Sequence, residues 1–255
     1  MDRLAFNAAA AINEMRVGRQ MTTNELANVA TPGFKRSFES AMMTLKVQGA
    51  GFESRLQPQS YASDNINMKP GVIVKTGRDL DVAMDGQTVM GVTAPNGELA
   101  FTRRGDLKLN GTGVLEMGTG ALVRGQNGGP ITVPPGFFVK ISKDGSVYAT
   151  NPAQAGVATP VLIDRILLRD ASQVSLERRE DSLYKIVGKP NNEDIPVTGK
   201  LATLTPETLE GSNVNAMEVM VKLMDQSRSF EMQVNVIKQS KDVDEAGGSM
   251  MRASG

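Results

Sequence analysis

An α+β fold is predicted for this sequence, with a helix at each end and an antiparallel all-β domain between them. Three observations carry that expectation. Glycine and proline are unevenly distributed: residues 1–31 hold only Gly18 and no Pro, residues 207–246 only Gly211 and no Pro, whereas 14 of the 26 glycines fall within residues 77–145. Both glycine-poor ends carry apolar or small residues at alternating spacings of three and four, which place one seam along a helix. The middle is punctuated by Asp-Gly and Asn-Gly pairs, which supply the positive φ that tight hairpins need.

At the N-terminal end the stripe reads Ala5, Ala8, Ile12, Met15, Arg19, Thr22, Leu26, Val29. Asp2 is placed to cap the helix, and Thr31-Pro32-Gly33 stops it, because Pro disfavours helical geometry in the residue before it. The C-terminal stripe reads Met220, Leu223, Ser227, Phe230, Val234, Ile237; Asn215-Ala216-Met217-Glu218 has the form of a capping box, and Gly247-Gly248 is the expected end. Between the helices, strands are expected at 72–75, 80–84, 88–92, 99–102, 107–109, 121–123, 131–133, 138–142, 147–149, 161–168 and 183–187. Short, closely spaced strands without intervening helices predict a sandwich or barrel and exclude βαβ units. Residues 35–70 and 188–206 are polar and irregular and read as connectors. The expected domains are an N-terminal assembly helix over 1–34, a connector over 35–75, a central β domain over 76–200 and a C-terminal assembly helix over 201–255, the two helices forming a coiled-coil-like assembly domain.

Composition removes most chemistry. The 255 residues contain neither Cys nor His, so there is no thiolate nucleophile, Cys-ligated zinc, Ser-His-Asp triad or imidazole base. Twenty-eight basic residues balance 28 acidic ones, and aromatics make up only 4 % with no Trp, which argues against nucleic-acid binding and base or sugar stacking. The apolar run from Ala8 to Ile12 is too short for a signal-peptide core or a bilayer span, so export without a cleaved signal and no membrane insertion are expected. Gly118-Thr119-Gly120 opens like a dinucleotide loop, but Val123 stands at its last glycine position and no helix follows. Asp79, Asp81 and Asp85 lack the ligand pattern of a calcium loop and read as turn and polar-face residues. Arg103-Arg104 and Arg178-Arg179 read as solvated basic pairs, and the methionines at 217, 220, 224 and 232 as adaptable seam packing. No catalytic residue, metal or cofactor is expected.

Residues Asn24-Glu25-Leu26-Ala27-Asn28-Val29-Ala30-Thr31-Pro32-Gly33-Phe34-Lys35 resemble the N-terminal signature of the bacterial flagellar rod and hook proteins, with Glu25 where that family usually has Asn. At the far end, Leu209-Glu210-Gly211-Ser212-Asn213-Val214-Asn215 and Arg228-Ser229-Phe230-Glu231 resemble its C-terminal signature. Thr76-Gly77-Arg78-Asp79-Leu80-Asp81-Val82-Ala83, Phe101-Thr102-Arg103-Arg104-Gly105, Pro130-Ile131-Thr132-Val133-Pro134 and Ile141-Ser142-Lys143-Asp144-Gly145-Ser146-Val147 are similar to its central β segment, in the same order. The segment Gly86-Gln87-Thr88-Val89 departs from the aromatic pair often found there. Within the family, the length and the start Met1-Asp2-Arg3 are most similar to a proximal-rod member; distal-rod and short hook-type members are the alternatives.

The resemblance implies a structural subunit of the bacterial flagellum that polymerises helically with its own copies and other rod proteins. It would be exported by the flagellar type III apparatus and would transmit torque through the periplasm as part of the basal-body rod. The assembly interface expected on the N-terminal side is Ala5, Ala8, Ile12, Met15, Leu26, Asn28, Val29, Thr31, Gly33 and Phe34. On the C-terminal side it is Asn213, Met220, Leu223, Arg228, Phe230, Val234 and Ile237. Two readings from other classes compete: a secreted sugar-acting enzyme using Asp81 and Asp85, and a soluble capping or chaperone-like module with one exposed groove.

Overall fold

A computed structural model describes residues 2–37, 42–46, 56–60, 65–153 and 159–253. The chain is α+β and divides into two compact units. The first comprises residues 1–27, 39–63 and 215–255, the second residues 28–38 and 64–214.

The first unit holds α1 (Asp2–Ala27), the antiparallel hairpin β1 (Met42–Lys46) with β2 (Leu56–Ser60), and α2 (Ala216–Ala253). The hairpin occupies part of the segment read as connector. α2 is capped as its sequence implies, the Asn215 side-chain oxygen accepting from the backbone N–H of Met217 at 3.0 Å and of Glu218 at 3.4 Å. It does not end at Gly247-Gly248 but runs through both to Ala253. A helical Gly costs about 1 kcal/mol relative to Ala, which does not outweigh the helix-forming residues on either side. α1 ends at Ala27, so Val29 lies in the turn after it and not on the helical stripe.

The second unit contains every remaining strand among the described residues: β3 (Ile73–Lys75), β4 (Val82–Met84), β5 (Thr88–Thr93), β6 (Leu99–Thr102), β7 (Leu107–Leu109), β8 (Leu115–Met117), β9 (Leu122–Val123), β10 (Phe138–Ile141), β11 (Ser146–Thr150), β12 (Val161–Arg165), β13 (Leu168–Asp170), β14 (Leu176–Arg178), β15 (Tyr184–Ile186), β16 (Leu204–Pro206) and β17 (Thr208–Glu210). The largest sheet runs β14-β15-β6-β5-β9-β8-β7, with β13 also pairing β5. β10-β11-β12 form a second sheet, and β16-β4 and β17-β3 are two-stranded ribbons. All pairings are antiparallel.

Three expected strands are corrected by the pairing. Residues 131–133 make only an isolated bridge, Val114 to Thr132. Residues 161–168 break at Ile166-Leu167 because the halves pair with different partners, β12 with β11 and β13 with β5. Residues 204–206, read as connector, form β16 and pair with β4.

The β5–β6 pair is buried on both faces, which explains its continuous apolar run. Met90, Val92 and Ala100 enter one core with Leu107, Leu115, Ile131 and Val147; Val89, Leu99 and Phe101 enter the other with Leu176, Tyr184 and Ile195. Alternating residues of a strand face opposite sides, so one pair of strands feeds two cores. Gly91 fits between them because Leu167 fills the space that a Cβ would need.

Candidate functional site

The residues after α1 form a joint tied into the second unit by a buried charged cluster. Thr31 donates its backbone N–H to Asn28 O at 3.2 Å and its hydroxyl to Asn28 Oδ1 at 3.1 Å, closing the turn. Gly33 then takes φ +67°, and a Cβ there would overlap the backbone carbonyl of Arg103. Its N–H donates to Glu210 O at 2.7 Å, and its carbonyl accepts from the Tyr184 hydroxyl at 3.3 Å. The Phe34 ring is buried, with the Arg178 guanidinium 4.3 Å above its centre. Asn213 closes the other side: its N–H reaches Phe34 O at 3.2 Å, its Oδ1 accepts from Arg36 N–H at 2.7 Å, and its amide donates to Asn67 O at 2.8 Å.

Beneath this turn lie two cations and one carboxylate. Lys35 Nζ is 2.5 Å from Glu210 Oε1, the two side chains being 0 % and 1 % exposed. Arg103 Nη2 is 2.7 Å and Nε 2.8 Å from Glu210 Oε2, again fully buried. The remaining donors are satisfied: Lys35 reaches Lys69 O, and Arg103 reaches the carbonyls of Met84, Gly86 and Thr88. Gly71 N–H donates to Glu210 Oε1 at 3.0 Å. Burial, reinforced by the Arg103 charge, pushes the Lys35 pKa down from 10.5 to about 8 against the opposing pull of Glu210. Burial likewise pushes the Tyr184 hydroxyl up to about 12.

The N-terminal, central and C-terminal signature segments thus meet at one place. Of the expected interface residues, Asn28, Thr31, Gly33, Phe34 and Asn213 belong to this joint, with Val29 half-buried in its turn. Sequence reasoning missed Lys35, Arg103, Tyr184 and Glu210. Three of them lie inside the quoted motifs, and a charged residue within an otherwise apolar or glycine-flanked signature was the available signal. The reading of both arginine pairs as solvated is corrected. Arg103 is enclosed by backbone carbonyls, Arg178 covers Phe34, Arg179 is nearly buried against Glu98 and Asp181, and Arg104 makes a two-pronged pair with Asp106.

The other expected residues lie on the helices of the first unit. On α1, Ala8 and Thr22 are buried, Ile12, Met15 and Leu26 are half-buried, and Arg19 is exposed. The Ala5 side chain lies outside the described residues. Glu25, off the stripe, is buried. On α2, Leu223, Val234 and Ile237 are half-buried, whereas Met220, Arg228 and Phe230 are exposed; the fully buried positions are Val219 and Ser240, neither of them on the stripe.

α2 carries a second apolar face. At about 100° per residue, Met217, Val221, Met224, Met232, Val236, Val243 and Met250 lie within roughly a third of the circumference, opposite Val219, Gln226 and Ser240. All seven are exposed, Met217 by 70 %, Met224 by 57 % and Met232 by 61 %. Arg228 interrupts this face.

The carboxylates of the competing enzyme reading hold the fold together. Asp81 is buried and pairs with Arg78 at 3.2 Å; Asp85 accepts from the Thr203 and Thr205 hydroxyls at 2.9 and 2.8 Å, pinning β16 beside β4. Among the described residues no acidic cluster has the arrangement of a metal site, and no helix is long and apolar enough to cross a membrane.

Comparison with known proteins gives matches along most of the chain. The family described as flagellar hook protein FlgE/F/G D1 domain matches residues 83–149, and the family described as flagellar basal body rod FlgEFG protein C-terminal matches residues 205–250. The chain is 31 % identical to the flagellar basal-body rod protein FlgF of Escherichia coli (strain K12), over 95 % of each chain. It is 32 % identical to the FlgF of Salmonella typhimurium over 93 % of each. It is 24 % identical to the flagellar basal-body rod protein FlgG of Bacillus subtilis (strain 168) over 95 % of this chain and 97 % of the relative.

Proposed function

The chain belongs to the flagellar basal-body rod protein family, and from that premise we propose how it serves as a structural subunit of the rod. Its place is the flagellar basal body, assembled with other rod and axial proteins; the reading as a sugar-acting enzyme has no support. In our reading the subunit occupies the proximal rod and polymerises helically. α1 and α2 form a coiled-coil-like assembly domain, and the β unit is carried outside the tube wall. The chain passes through the type III export apparatus without a cleaved signal, and the finished rod transmits torque through the periplasm.

The observation that carries this reading is the outward apolar face of α2. One face of the helix is buried within its own unit, and a second, rich in Met, is left in water. Burying each such side chain is worth roughly 1.5–3 kcal/mol, so a helix from a neighbouring subunit supplies the missing partner. Contacts that repeat without closing build a helical filament. The expected interface residues of α1, α2 and the joint serve this assembly in two ways: Met220, Arg228 and Phe230 meet neighbours directly, while Ala8, Ile12, Met15, Leu223, Val234 and Ile237 hold the subunit's own helices together.

The test is electron microscopy of basal bodies from cells that lack this chain. The expected result is basal bodies without a completed rod, restored by the wild-type gene. Intact rods in the deletion strain would overturn the reading.

A further inference from the structure

We propose that Gln226 is a register key for the α1–α2 pair, which fixes how far one helix is slid along the other before the subunit enters the rod. The proposal rests on the rod-subunit reading and concerns the inner seam, not the outward Met face.

The seam itself discriminates poorly between registers. Its α1 side presents Ala8, Met15, Gly18 and Thr22, small or flexible residues that tolerate displacement by one heptad. At one point it is specific. Gln226 Nε2 donates to Thr22 Oγ1 at 3.2 Å, and the Thr22 hydroxyl spends its own hydrogen on Gly18 O at 2.9 Å. Thr22 is 2 % exposed, and its hydroxyl can therefore only accept from α2, which turns the Gln226 amide nitrogen toward it. Gly18 leaves room for that amide: a Cβ there would already stand 3.7 Å from Nε2.

The other end of the amide is unsatisfied. Gln226 Oε1 is buried and has no hydrogen-bond partner among the described residues. A half-satisfied buried amide is a poor source of stability, since an apolar side chain of similar size would pack without an orphan acceptor. What it supplies is discrimination between registers, the role best attested for a lone polar group in a helical seam. A slip of one heptad, about 10.5 Å, sets Gln226 against the level of Met15, or past the end of α1 at Ala27. Its amide nitrogen then loses the Thr22 acceptor as well. Leaving a buried donor unmade biases the registers by roughly tenfold or more.

The test compares Gln226→Leu and Thr22→Val with Thr22→Ser and Thr23→Val, each expressed in a strain lacking the native copy. Thr23 makes the same hydroxyl-to-carbonyl bond, to Arg19 O at 2.8 Å, but is exposed and away from the contact. Two quantities are read for each variant: the thermal midpoint of the purified chain, and its amount in purified basal bodies. Gln226→Leu and Thr22→Val are expected to keep or raise the midpoint while falling at least tenfold in basal bodies. Thr22→Ser and Thr23→Val are expected to match wild type in both. Wild-type levels of Gln226→Leu in basal bodies would overturn the proposal, and so would a loss that merely follows a lowered midpoint. Absence of the wild-type chain itself from basal bodies would instead strike the rod-subunit reading.

Discussion

The joint of the second unit and the outer face of α2 are built on opposite plans. In the joint, three charged side chains are removed from water, and every described donor on Lys35 and Arg103 meets an acceptor of the same chain. On α2, seven apolar side chains stand in water without a partner in the chain. A soluble monomer ordinarily does the reverse, with apolar groups inside and charges outside. The difference separates what the subunit completes for itself from what it leaves to others. The joint must hold one geometry regardless of neighbours, and directional hydrogen bonds do that; the face must accept a neighbour, and adaptable methionines suit it.

The largest effect expected from breaking this contrast is at Glu210. Glu210→Ala leaves Lys35 and Arg103 buried with no counter-charge, and removing one partner of a buried ion pair costs about 3–5 kcal/mol. Denaturant unfolding of the purified chain should show that loss in the β unit. A cost below about 1 kcal/mol would mean the joint is held by its backbone bonds alone.

A smaller effect sharpens the same point by pH. The folded Lys35 pKa, about 8, lies below the unfolded 10.5, so between these values the unfolded chain binds more protons than the native one. Stability contributed by this group therefore rises with pH across that window, with a limiting slope of about 1.4 kcal/mol per pH unit. Unfolding free energies of wild type and Lys35→Met, compared from pH 7.5 to 10.5, should diverge in favour of wild type as pH rises. Parallel curves would show that Lys35 keeps an ordinary pKa.

The smallest effect on stability is expected on α2. Met224→Asp places a charge on an exposed position, so unfolding of the isolated chain should change by less than about 0.5 kcal/mol. Assembly should nevertheless fail, because the same charge would be buried unpaired against a neighbouring helix. Motility and recovery of the variant in basal bodies are the readouts. Normal assembly would remove this face from the interface.

Local patterns in the sequence were enough to give the antiparallel β centre and the two terminal helices, because each rests on neighbouring residues. Asx-Gly turns, alternating strands, the Asn215 cap and the Pro32 stop all act within a few positions of themselves. The two strands at 99–102 and 107–109 have the bounds expected of them. Family membership was legible for the same reason, since the signature segments are short and contiguous. The stripe read along α1 and α2 was a coarser guide. It includes Ala8 and Thr22, but it misplaces Arg19 and Met220 and misses Glu25, Val219 and Ser240, because burial on a helix follows the partner's contour as well as its own period.

What only the tertiary structure decided is the destination of the charges. Lys35, Arg103 and Glu210 are separated by 68 and 107 positions, and nothing local to any of them announces a buried partner. A charged side chain reads as solvated until the fold delivers its counter-charge, since its burial is tolerable only in a completed pair. Periodicity in the sequence marked out apolar stripes on the helices, but which face of α2 would be buried and which left open depended on α1 being there to cover one of them.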